Sequence, residues 1–170
     1  MTSTGLKRWW RHLWLDAGDA RRALDAAALD RLQQRVAQSE RRHSGEIRVC
    51  VESGLPLSYL RRGAGARERA VMMFAKLRVW DTEHNNGVLI YLLLAEHAIE
   101  IVADRALARL VPQAEWDRLA ATMAEAFRAG RFEDGLMRAI DGVEAQLLRH
   151  FPLAEGAQRA NELPDRPYQA

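Results

Sequence analysis

Cysteine is almost missing from this chain: Cys50 is the only one in 170 residues. A lone thiol excludes an internal disulfide and a cysteine-built zinc site. Its place in the alternating stretch EIRVCVE marks it as a buried strand thiol. An excess of charge of one sign is missing too. Lys and Arg number 25 against 23 Asp and Glu, and Arg and Glu are interspersed along most of the chain. The basic isoelectric point therefore lacks the clustered face that nucleic-acid binding requires, and no nucleic-acid partner is expected. No run approaches the ~20 apolar residues of a membrane span. Near the N-terminus, LWL is far shorter than the roughly 7–15 apolar residues of a secretory core. The expectation is a cytoplasmic protein.

Several catalytic signatures are absent. GAGARER, residues 63–69, lacks the Lys-Ser/Thr pair of a phosphate-binding loop. Cys50 is not followed by the arginine of a cysteine phosphatase. Ser53-Gly54 is not the G-x-S-x-G of a nucleophile elbow. The five histidines, His12, His43, His84, His97 and His150, are scattered, and none forms an H-E-x-x-H pair.

What is present is the mixture of an ordinary globular domain, long enough to bury a core. Residues 1–24 are a basic, Trp-rich N-terminal segment. Within it Leu6, Trp9, Trp10, Leu13 and Trp14 share a helical face, with Lys7, Arg8 and Arg11 between them. Such a segment, through residues 1–14, suits either a membrane surface or membrane protein, or an apolar groove of its own domain. Residues 25–152 carry the domain proper. The run from Asp25 to about His43 is helical, with Ala28, Leu32 and Val36 on one stripe and Asp25 as N-cap. EIRVCVE follows as a strand. A second helix has the stripe Ala70, Val71, Phe74 and Leu77, with Met72 and Met73 filling gaps. Val88 to Leu94 is an unbroken apolar run too short for a membrane, which fits a strand buried on both faces. Ala95-Glu96-His97 turns it into an alternating partner, AIEIVAD. A helix then links two parallel strands, and a hairpin adds a third. Helices over 113–129 and 132–150 close the domain, the first stopping at Gly130. Periodicity ends after Pro152, so residues 153–170 read as a flexible tail.

HSGEIRVCVE after an amphipathic helix, NNGVLIYLLL leading to IEIVADRAL, and VPQAEW leading to FRAGRFEDGLMRAIDGV together resemble the TPM domain family. The resemblance spans roughly residues 25–152. It is carried by the Asn-Gly-Val-Leu-Ile start of the central strand, the hairpin, and the G-R-F-x-x-G-L link between the last helices. The family includes thylakoid-lumen proteins linked to photosystem repair, and many bacterial proteins. The resemblance implies an α/β sandwich, a mixed sheet of about four strands flanked by helices on both faces. The residues themselves show three strands, and the fourth is implied by the family alone. It also implies two chemistries proposed for relatives, acid phosphatase activity and binding of divalent cations, notably calcium. The chain is similar to a short intracellular branch of the family, often encoded near membrane proteins of the LemA type.

Hard cations such as calcium or magnesium require converging oxygen donors. Strand order brings Asp81, Asn85, Asn86 and Asp104 to one edge of the sheet, and sends Glu52 to the opposite edge. These four are the expected metal ligands. Relatives commonly place an aspartate where this chain has Asn86, which lowers the ligand charge. The competing reading is local structure. Asn85-Asn86-Gly87 is turn chemistry with Gly87 free to take positive φ, and Asp104 caps the next helical turn. The scaffold is intact while the catalytic set is thin. The expected function is a non-catalytic interaction module on the cytoplasmic side of a membrane system, peripheral at the inner membrane face. The alternative is a divalent-metal-dependent acid phosphatase acting on phosphomonoesters.

Overall fold

The computed structural model describes His12, Gly18, residues 22–154 and residues 160–170. The tryptophan face of residues 1–14 lies outside these, His12 excepted. Four strands make one mixed sheet: β1 (Ile47–Glu52), β2 (Val88–Leu93), β3 (Ala98–Ala103) and β4 (Tyr168–Gln169). Their spatial order is β3-β2-β1-β4. β1 runs parallel to β2, with Ile47 opposite Val88 and Glu52 opposite Leu93. β2 and β3 form the expected antiparallel hairpin, in which a short 3-10 turn, Leu94–Glu96, ends at His97 with φ +49°.

Alternation along β1 and β2 sends side chains to two separate cores, so both strands are buried throughout. Ile47, Val49, Val51, Val88, Ile90 and Leu92 enter one core. Against them pack α1 (Ala26–Glu40), α5 (Gln113–Arg128) and α6 (Phe132–His150). Cys50, Leu89, Tyr91 and Leu93 enter the other, under α2 (Leu57–Arg61) and α3 (Ala66–Lys76). A further single turn, α4 (Arg105–Ala108), follows β3. The architecture is thus an α/β sandwich with helices on both faces. A strand buried on both faces has no polar side to show, which is why β2 is apolar at every position.

Local signals explain the helix bounds. Asp25 accepts a hydrogen bond from the Ala28 amide at 2.8 Å and caps α1, a bond worth about 1 kcal/mol. α5 ends before Gly130, whose φ of +72° suits glycine. The α3 stripe departs from expectation. Ala66, Arg69, Ala70 and Met73 face inward, while Val71 is 49% exposed. The helix is rotated because Arg69 turns in to meet Glu52. Its guanidinium forms a bidentate pair with that carboxylate, which also accepts from the Tyr91 hydroxyl at 2.8 Å. Removing one partner from such a buried pair costs about 3–5 kcal/mol.

The fourth strand arises where periodicity gives no sign of one. Residues 160–170 return along the free side of β1, with Tyr168 opposite Cys50 and Gln169 opposite Val51. The reading of 153–170 as a tail is corrected to that extent: Leu163 is 7% exposed and belongs to the second core. Two residues of pairing, flanked by Pro164 and Pro167, carry too little alternation to announce a strand.

Candidate cation site

Three segments meet at the edge where β1 and β2 begin and β3 ends. The Val88 amide donates to the Glu46 carbonyl at 2.8 Å, and the Asp104 amide donates to the Gly87 carbonyl at 2.8 Å. Asp104 is thereby fixed beside the Asn86-Gly87 step. Asn85 takes φ +51°, a conformation asparagine tolerates better than most residues. Gly87 is not at positive φ. A Cβ added there would lie 2.1 Å from the Val79 carbonyl oxygen, so glycine is required by close backbone approach.

The four expected ligands divide into two pairs. Asp81 is exposed and ion-paired with Arg78. Asn85 Oδ1 accepts from Arg105 Nε at 2.8 Å and Nη2 at 2.6 Å. Arginine therefore engages Asp81 Oδ2 and Asn85 Oδ1. Asn86 is fully buried: its amide donates to the Thr82 hydroxyl at 3.2 Å, and Nδ2 to the Ser44 hydroxyl at 3.2 Å. Asp104 is 7% exposed. Its Oδ1 accepts from the Arg105 amide at 2.7 Å and caps α4. The capping reading of Asp104 holds for that oxygen alone.

The other oxygens of these two residues stand out. Asn86 Oδ1 and Asp104 Oδ2 are two of the four buried side-chain polar atoms among the described residues with no hydrogen-bond partner. A buried acceptor left without a donor costs about 1–3 kcal/mol, so two on one edge call for a positive partner. An oxygen-seeking cation fits that donor set, which is one carboxylate and one amide. No group of three or more His, Cys, Asp or Glu among the described residues gathers to hold a metal. Glu52 sits at the far edge of the sheet, as strand direction requires. His84 is exposed on the loop.

The architecture agrees with that of known proteins. The TPM domain profile matches residues 18–146. The chain belongs to the TPM domain family. Its fold is shared with the BA42 protein of the psychrophilic bacterium Bizionia argentinensis, determined by NMR. That match has 26% identity and a TM-score of 0.73, covering 86% of this TPM chain and 95% of BA42. It is also shared with the N-terminal domain of a P. gingivalis protein, with 18% identity and a TM-score of 0.61, covering 83% and 95%. A search of curated proteins returned no match. Among the described residues of this TPM protein, no helix is long and apolar enough to cross a membrane.

Two polar clusters escape sequence reading. One is the Glu52–Arg69–Tyr91 network. The other surrounds His12, at the edge opposite the cation candidates. The His12 side chain is wholly buried; its Nδ1 accepts from the Leu55 amide at 2.9 Å, and Nε2 donates to Glu96 at 3.0 Å. A ring whose Nδ1 accepts carries its proton on Nε2. A histidine flanked by tryptophans gives no signal of this role, because its partners lie 43 and 84 residues away.

Proposed function

We propose that this TPM domain is a non-catalytic interaction module. It takes a divalent cation, calcium or magnesium, through Asp104 and Asn86, and meets a membrane system through residues 1–14. The observation supporting the cation is the pair of buried, partnerless oxygens on one edge. Asp104 would supply the charge and Asn86 a neutral oxygen.

A non-catalytic reading rests on access and on engaged side chains. Asp104 and Asn86 are 7% and 0% exposed, which admits an ion more readily than a phosphomonoester. The neighbouring candidates for a base or a second ligand, Asp81 and Asn85, are engaged by Arg78 and Arg105. A phosphatase needs its general acid or base within hydrogen-bond reach of substrate.

Cation binding to the folded state alone stabilises it by mass action, about 2.7 kcal/mol at a hundred times the dissociation constant. The melting temperature is therefore expected to rise with calcium or magnesium in the wild type and to stay flat in Asp104→Asn. Metal-dependent hydrolysis of p-nitrophenyl phosphate, lost in Asp104→Ala, would overturn the non-catalytic reading in favour of the phosphatase.

A further inference from the structure

Charge is spread unevenly between the two helical layers. Residues 57–80, which make α2, α3 and the turn after them, carry six Lys or Arg and one acid, Glu68. The helices of the opposite layer, α1, α5 and α6, carry six Lys or Arg against nine Asp or Glu. Part of the basic excess is used inside the fold. Arg69 pairs with buried Glu52, and Arg67 donates to the Ile101 carbonyl at 2.7 Å. Arg61, Arg62, Lys76 and Arg78 are exposed. Arg62 is paired with Glu68, and Arg78 with Asp81. Arg61 meets no carboxylate among the described residues. Lys76 lies over the Tyr168 ring at 5.9 Å, a contact that leaves its charge uncancelled.

The same layer holds most of the exposed large apolar side chains. Leu57, Val71 and Trp80 are three of the four among the described residues, Leu110 being the other. Val71 is outward because Arg69 turns α3, and Ala75, one turn on, is exposed beside it. The three extend from the start of α2 to the residues after α3, with the four cations among them. That mixture suits a flat surface in which acyl chains lie beneath a layer of negative charge. Tryptophan is favoured at such a boundary. His12 brings a second segment of the same chemistry to this layer. Residues 1–14 hold Lys7, Arg8 and Arg11 with no acid. The His12 ring is bonded to the Leu55 amide, two residues before α2.

We propose that the α2–α3 layer is the face this domain lays on an anionic lipid surface. Arg61, Arg62, Lys76 and Arg78 meet the headgroups, while Leu57, Val71 and Trp80 enter the boundary with the acyl chains. The inference deepens the membrane part of the proposed function and rests on it: the layer adds a second contact to that of residues 1–14. It also orients the molecule, with the acidic layer of α1, α5 and α6 turned away from the membrane. Nucleic acid would use the cations through its phosphates, but it has no need of three exposed apolar side chains.

The experiment uses the full chain with vesicles of phosphatidylcholine, either alone or with about a third phosphatidylglycerol. Wild type is expected to float with the anionic vesicles only. A nitrobenzoxadiazole label on Val71→Cys should brighten several-fold on binding. The same label on Ala121→Cys, exposed on α5, should stay unchanged; Cys50 is buried and takes no label. Arg61→Glu combined with Lys76→Glu should weaken partitioning by about tenfold or more, with the circular dichroism of the domain unchanged. Vesicle binding with a silent Val71 label, or binding indifferent to the charge reversals, would overturn the inference and leave residues 1–14 as the membrane contact. Failure of wild type to float would overturn it together with the membrane reading. Uptake of duplex DNA or RNA in place of vesicles, lost on the same reversals, would also overturn it, because the occupant would then be nucleic acid.

Discussion

Asp104 divides its carboxylate between two tasks: one oxygen caps α4 through the Arg105 amide, and the other faces no donor. Asparagine also caps well, so Asp104→Asn separates the tasks by keeping the cap and removing the charge. Gly87 shows how a residue can be right for the wrong reason. Turn chemistry assigns it freedom in φ, whereas the fold needs it because the Val79 carbonyl passes where a Cβ would be. We expect Gly87→Ala to cost roughly 1–3 kcal/mol or more, read as a lowered urea midpoint, since a backbone oxygen cannot step aside as a side chain can. A midpoint unchanged from wild type would show that Val79 yields freely.

Glu144, buried between α1 and α6, offers a pH test. Burial pushes its carboxyl up, but the Arg35 hydrogen bond and the charges of Arg35, Arg42 and His43 outweigh burial and leave it below the ordinary value. A depressed carboxylate contributes stability above its unfolded pKa, ~4.3, and loses it as pH falls through the folded value. Urea unfolding from pH 7 down to pH ~3 is therefore expected to fall less steeply for Glu144→Gln than for wild type. Parallel curves would remove this contribution.

Among the elements, long periodic ones are legible and short or polar-buried ones are not. α6 spans Phe132–His150, as its apolar spacing requires. β2 is readable because an unbroken run of that length has few other uses. α3 is readable as a helix but not in its orientation: an apolar stripe sets Val71 inward, while the pairing of Arg69 with Glu52 sets it outward. Charge pairing across 17 residues leaves no mark in local periodicity. The rotation predicts opposite outcomes for neighbours of similar character. Met73→Ala, at a fully buried position, should cost about 2–5 kcal/mol. Val71→Lys should stay within about 0.5 kcal/mol, both by chemical denaturation. Equal costs would restore the expected stripe. β4 lies at the other extreme, since its two residues gain meaning only from the edge of β1.

At the scale of the whole molecule, both terminal regions reach back to the sheet at places local sequence does not indicate. His12 engages the far edge through Leu55 and Glu96, and residues 160–170 line β1. We expect His12→Ala to cost about 1–3 kcal/mol, because the buried Leu55 amide loses its acceptor. Deleting residues 1–14 should abolish flotation with anionic vesicles while leaving a folded, less stable domain. Insolubility of the deletion would assign those tryptophans to the core instead. The candidate site was legible as a cluster but not in its membership. Strand order was enough to bring Asp81, Asn85, Asn86 and Asp104 to one edge. Which oxygens remain available depends on Arg78 and Arg105, whose reach cannot be read from spacing.

The most direct test is an amide NMR titration of the full-length protein with calcium and then magnesium. Saturable shifts are predicted at Asn85, Asn86, Gly87, Asp104 and Arg105, absent in Asp104→Asn, with Glu52 and its neighbours at the opposite edge unmoved. Amides at Asn86 and Asp104 that stay still to millimolar cation would contradict the account, leaving this edge a turn and a helix cap.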